Sequence, residues 1–144
     1  MSVPRVHSDE EQQFRFEIDL AYLTVVPESD RDRWPLQSSF EVGPGFIESV
    51  RALVADGGIK RDKIVDVCAQ VLCGQAREVA ARAVREWKAS RRGPQEIRKI
   101  DGATAWRVNL QTNTASARRL KVWQLADGRM ELDSVGVHDD GLSG

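Results

Sequence analysis

The residues of this chain best suited to chemistry are basic, and they are crowded into one stretch. Between positions 88 and 125 there are nine Lys and Arg against only Glu96 and Asp101, whereas residues 1–60 carry six Lys and Arg against eleven Asp and Glu. The whole chain has a formal net charge of −1, so its poles cancel in the total. A locally basic end marks a surface that meets polyanions. Within it Arg107 and Asn109 are two apart, as are Arg119 and Lys121. On a β-strand, residues two apart point to the same side, so paired strands would carry a band of donors beside Arg98 or Lys99, according to register. Arginine forks grip phosphate oxygens through two parallel hydrogen bonds. Arg118 adds to the local charge. Trp123 could stack on bases or fill the core, and Trp106, on an apolar face, is expected to pack inward. The same cluster could instead be a plain solvated strand face.

The second constellation is His138-Asp139-Asp140 at the end of the last expected strand. A carboxylate beside an imidazole raises its pKa and fixes its tautomer, as proton transfer requires. The triplet could equally be a surface strand end, or a weak divalent-ion site. His7 is the only other histidine, so a three-histidine metal site is excluded, and neither a metal nor a cofactor is expected. No phosphate-loop, dinucleotide-fold or serine-hydrolase motif occurs. Cys68 and Cys73 lack the second pair a zinc site needs and are expected to be buried thiols.

These residues need a scaffold. At 144 residues, 41% hydrophobic and 30% charged, the chain has the size and balance of one soluble domain. No apolar run approaches the ~20 residues of a membrane span. The start lacks an apolar signal segment, so a cytoplasmic, reducing location with no membrane partner is expected. Residues 1–45 read as an acidic N-terminal part: an arm to residue 12, a strand in which Phe14, Phe16, Ile18 and Leu20 alternate with polar residues toward Val26, and an irregular loop to Gly45. Residues 46–144 read as helices followed by a basic sheet. One helix runs from Phe46 to the Gly57-Gly58 stop, a second carries the Ile64, Cys68, Val71, Leu72 stripe, and a third spans 76–87. Trp106 to Leu110 and Leu120 to Trp123 then alternate with period two. Asp127-Gly128 supplies a tight hairpin signal before MELDSVGVH. Residues 139–144 read as a frayed tail. The expected class is α+β, with two to three helices packed on a small antiparallel meander.

The order of a helix pair, IRKIDG, AWRVNL, ARRLKVWQL and ADGRMELDSVGVHDD resembles the RelE/ParE superfamily of bacterial toxin–antitoxin toxins over roughly residues 60–140. Trp123 stands where that family has a tyrosine, and the connection 111–117 is longer than usual. The resemblance implies a RelE-like fold and a metal-independent endoribonuclease. Such a toxin cleaves mRNA on the ribosome by attack of a ribose 2′-hydroxyl on the adjacent phosphate, and is held by an antitoxin protein. Arg107, Arg119 and His138 would then be catalytic, with Arg98, Lys99, Arg118, Lys121, Asn109 and Trp123 contacting nucleic acid. Alternatives are a non-catalytic module binding nucleic acid or protein, and a gyrase-inhibiting toxin on the same scaffold.

Overall fold

The computed structural model describes residues 8–88, 90, 92–111 and 118–137. The chain is α+β: helices α1 (Asp9–Val25), α2 (Phe46–Ala55) and α3 (Arg61–Leu72) cover one face of a five-stranded mixed sheet. Its strands are β1 (Glu41–Val42), β2 (Arg85–Glu86), β3 (Thr104–Asn109), β4 (Arg118–Gln124) and β5 (Met130–Val137), in the order β1-β5-β4-β3-β2. The meander β3-β4-β5 is antiparallel, and β1 joins β5 in parallel. The Asp127-Gly128 turn forms as expected, with Gly128 at φ 91°.

The first correction concerns residues 9–25, expected as the end of an arm followed by a strand, which form helix α1. Phe14, Ile18 and Tyr22 recur at helical spacing and are buried, with Phe14 meeting Phe46 edge-on at 5.2 Å between ring centres. The apparent period of two arose because Phe16 and Leu20, though apolar, face outward and are half exposed. Ser8 caps the helix by accepting the Glu11 amide at 3.1 Å, and Asp9, Glu10 and Glu11 suit the positive end of its dipole. Arg61 of α3 grips Glu17 through two hydrogen bonds of 2.9 and 2.8 Å and lies over Phe14. Residues 14–26 therefore contribute to the same core as α2 and α3.

The second correction concerns residues 76–87. Instead of a third helix, the chain makes two short 3-10 turns, Gln75–Glu78 and Ala80–Arg82, then enters β2. Alanine-rich helix propensity is outweighed here by tertiary bonds: the Trp87 amide donates to Ala105 O at 2.9 Å, and buried Arg82 donates Nη1 to Leu110 O at 3.1 Å. Ala83 joins the two segments at φ 43°, ψ 54°, a left-handed conformation that costs an L residue with a Cβ roughly 1–2 kcal/mol. Ala83→Gly is expected to raise stability by about 0.5–1 kcal/mol, less than the relieved strain because glycine loses more entropy on folding. The shift of a denaturant midpoint at constant m-value measures it; a loss of stability would mean that Ala83 is not strained.

Both edges of the sheet are two-residue strands. Beyond β1, the outer edge of β5 is met by α2, whose Ser49 Oγ accepts the Val135 amide at 3.0 Å. A register shift opposite Lys121/Val122 places Asp133 as the extra residue of β5. Buried Val108, Leu110, Leu120, Val122, Leu132 and Val135 line the helix side, where Trp106 packs half-buried against the same core.

Candidate nucleic-acid interface

The sheet face turned away from the helices collects the basic side chains. Strand pairing sets Arg85 opposite Arg107, Arg107 opposite Lys121 and Lys121 opposite Ser134, one continuous row across four strands. The adjacent row is Asn109, Arg119 and Gly136. Cross-strand partners on one face stand ~4.5–5.5 Å apart at Cβ, and like charges set opposite one another are destabilising. Burial, then the neighbouring charges of Arg119 and Arg85, pull the Arg107 guanidinium below its ordinary pKa. Arg107 Nε is buried without a hydrogen-bond partner, and among the described residues no carboxylate pairs with Arg85 or Arg107. An unneutralised arginine pair works against folding and in favour of an external anion. Arg85 was missed in the sequence because helical spacing at 76–87 placed it on a solvated helix face.

Lys121, also expected among the donors, lies elsewhere in energetic terms. Its side chain is fully buried and its Nζ is 2.9 Å from Glu96 Oε1. The ammonium sits 5.2 Å from the Trp87 ring centre and 4.8 Å from that of Trp123, a cation–π arrangement on two rings. Trp123 is 6% exposed, packs on Ala103 and Ala105, and donates its indole Nε1–H to Asp133 at 3.0 Å. Its ring therefore belongs to a small second core on the outer face.

Arg98 covers that core from the other side, 5.0 Å from the Trp123 ring centre. It is held by both Asp101 (2.7 Å) and Glu131 (2.8 Å), which raise its pKa against burial. Lys99 is exposed in the turn that precedes β3. Arg118 points to the helix side, where its guanidinium lies against Gly58 and donates to Gln111 Oε1 at 3.2 Å. The structure thus brings together Arg107, Arg119 and Asn109, adds Arg85, and sets Arg98, Lys99 and Arg118 apart from them. His138, with Asp139 and Asp140, lies outside the described residues; β5 is described to Val137, which pairs with Arg118.

Burial pushes the Cys68 and Cys73 thiols up, consistent with their enclosed positions. Among the described residues no group of three or more His, Cys, Asp or Glu is placed to hold a metal ion, and no helix is long and apolar enough to cross a membrane. Comparison with protein-family models, with curated proteins and with solved structures gives no match.

Proposed function

We propose that the chain binds the phosphate backbone of RNA on the outer face of its sheet, through Arg85, Arg107 and Arg119, with Asn109 as a neutral donor beside them. The observation that carries this reading is the Arg85–Arg107 pair, set opposite one another with no carboxylate partner among the described residues. Folding gains nothing from such a pair, whereas a phosphate would relieve it and accept both guanidinium forks. The antiparallel meander β3-β4-β5 with its Asp127-Gly128 turn supports a RelE/ParE-like protein acting on mRNA at the ribosome in the cytoplasm, with an antitoxin as partner; of the helix pair that the resemblance places after residue 60, α3 alone forms among the described residues. In that setting the arginines would stabilise the charge of a pentacovalent phosphate as the 2′-oxygen bonds to phosphorus and the 5′-oxygen leaves, giving a 2′,3′-cyclic phosphate, and His138 would take part in moving the proton from the 2′-hydroxyl to the departing 5′-oxygen. No metal enters this step.

A second reading, a non-catalytic RNA-binding module, is favoured by the locking of Lys121 onto Glu96, which withdraws one cation from the face. RNA binding measured at about 50 and 200 mM salt is expected to weaken steeply, because neutralised phosphates release counterions. Arg107→Ala should reduce the slope of log K against log salt by about one. A salt-insensitive affinity would sink the proposal. Mapping transcript ends with ribosomes and a chelator that spares them then separates the two readings: new ends support cleavage, intact transcripts support the module.

A further inference from the structure

The opposite side of the same strands carries a concavity. Between β3, β4, the start of β5 and the C-terminal end of α3 lies an open cleft of about 430 Å³. Its floor is Val108 and Val122, each 1% exposed, and its walls include Leu72, Trp106 and Met130. The lip is tied in place: the Gln37 amide donates to Leu72 O at 3.0 Å, and Gln37 Oε1 accepts the Met130 amide at 2.7 Å. The loop therefore joins α3 to the β4–β5 hairpin and holds the cleft open without collapsing onto its floor. Apolar surface facing water costs ~25 cal/mol per Å², so an apolar occupant is favoured. Sites for small molecules typically span roughly 300–1,000 Å³ and combine apolar walls with a few placed polar groups.

The charge at the rim selects among apolar occupants. Among the described residues, Arg77 is the only ionisable side chain lining the cleft apart from the Cys73 thiol. Its guanidinium lies 4.7 Å from the centre of the Trp106 ring, and it has no carboxylate partner among the described residues. A guanidinium over an indole keeps its hydrogen-bond donors available to an anionic acceptor. An uncharged body against the half-buried Trp106, Val84 and Met130 with a negative head at Arg77 satisfies both features at once.

We propose that this cleft is a binding site for a small amphipathic anion, an aliphatic or aromatic carboxylate whose apolar body lies against the partly exposed Trp106, Val84 and Met130 and whose head meets Arg77. The site is separate from the arginine face and does not depend on RNA binding. The test is a titration of the full chain with octanoate and, in parallel, octan-1-ol, followed by amide and indole NMR signals. Octanoate is expected to shift the Trp106 indole and the Leu72 and Met130 amides, and to bind more tightly than the alcohol. Arg77→Gln, at an exposed position, should weaken octanoate about threefold or more, the upper range for an exposed ion pair, and leave octan-1-ol unchanged. Val84→Trp, which fills the mouth, should weaken both; if it fails to fold, the Arg77→Gln comparison still decides. Octanoate that leaves Trp106 unmoved, that shifts Phe16, Leu20 and Leu23 of α1 instead, or that binds equally well after Arg77→Gln would overturn the proposal.

Discussion

Glu96→Ala is expected to destabilise the domain by about 3 kcal/mol, the low end of the ~3–5 kcal/mol typical when one partner of a buried ion pair is removed. The lower end applies because the Glu96 side chain is 18% exposed while that of Lys121 is fully enclosed. Without Glu96 the ammonium keeps the two indoles but loses a carboxylate at 2.9 Å while its side chain stays buried in mid-strand. The double variant Glu96→Leu/Lys121→Met should recover most of the loss, since well-packed apolar replacements of buried pairs are often neutral or stabilising. Chemical denaturation of the three variants measures this. A loss below about 1 kcal/mol for Glu96→Ala, as for a surface pair, would show that Lys121 finds another outlet.

Reversing the charges of the outer face should have the largest effect on binding. Arg85→Glu/Arg107→Glu is expected to weaken RNA at least about 100-fold at moderate salt, since each charge-assisted hydrogen bond contributes ~1.5–3 kcal/mol and tenfold in affinity is 1.4 kcal/mol. Stability should change little, because the two carboxylates set opposite one another repel as the arginines do, while the one at position 107 gains Arg119 as a neighbouring cation. Lost binding at unchanged stability distinguishes a binding surface from a structural one. RNA affinity within about threefold of the parent would place the polyanion site elsewhere; Lys99, exposed in its turn, and Arg118 would be tested next.

Much of this was legible in the residues. The α2 and α3 stripes, the period-two strands and the Asp127-Gly128 turn each announce an element through local physics. The face shared by Arg107, Asn109, Arg119 and Lys121 followed from strand alternation and was set by the register Arg107↔Lys121. Helix α1 was misread because Phe16 and Leu20 imitate strand alternation; the opposing signal, Ser8 three residues before Glu11, is a capping box that was available. The region 76–87 failed for the opposite reason: local propensity favours a helix, and only the β3 edge, distant in sequence, draws Arg85 into the sheet. Nor does the sequence show that Lys121 meets Glu96 or that Arg98 divides itself between Asp101 and Glu131. The Lys121–Glu96 and Arg98–Glu131 pairings cross 25 and 33 positions and depend on Glu96 and Ile97 lying beside Trp87 and the start of β3.

The short outer strands have a consequence for how copies of this chain behave in company. A long bare strand is a template on which another chain builds backbone bonds, the route to fibrils and swapped dimers. Here the β5 amide at Val135 is already taken by Ser49, Gly43 donates to Leu132 O at 2.8 Å, and the opposite side presents only Arg85 and Glu86 before the backbone turns inward. Charged, abbreviated margins of this kind resist polymerisation. Crowding at high concentration then brings side-chain surfaces together while the backbone ladder stays closed to strangers.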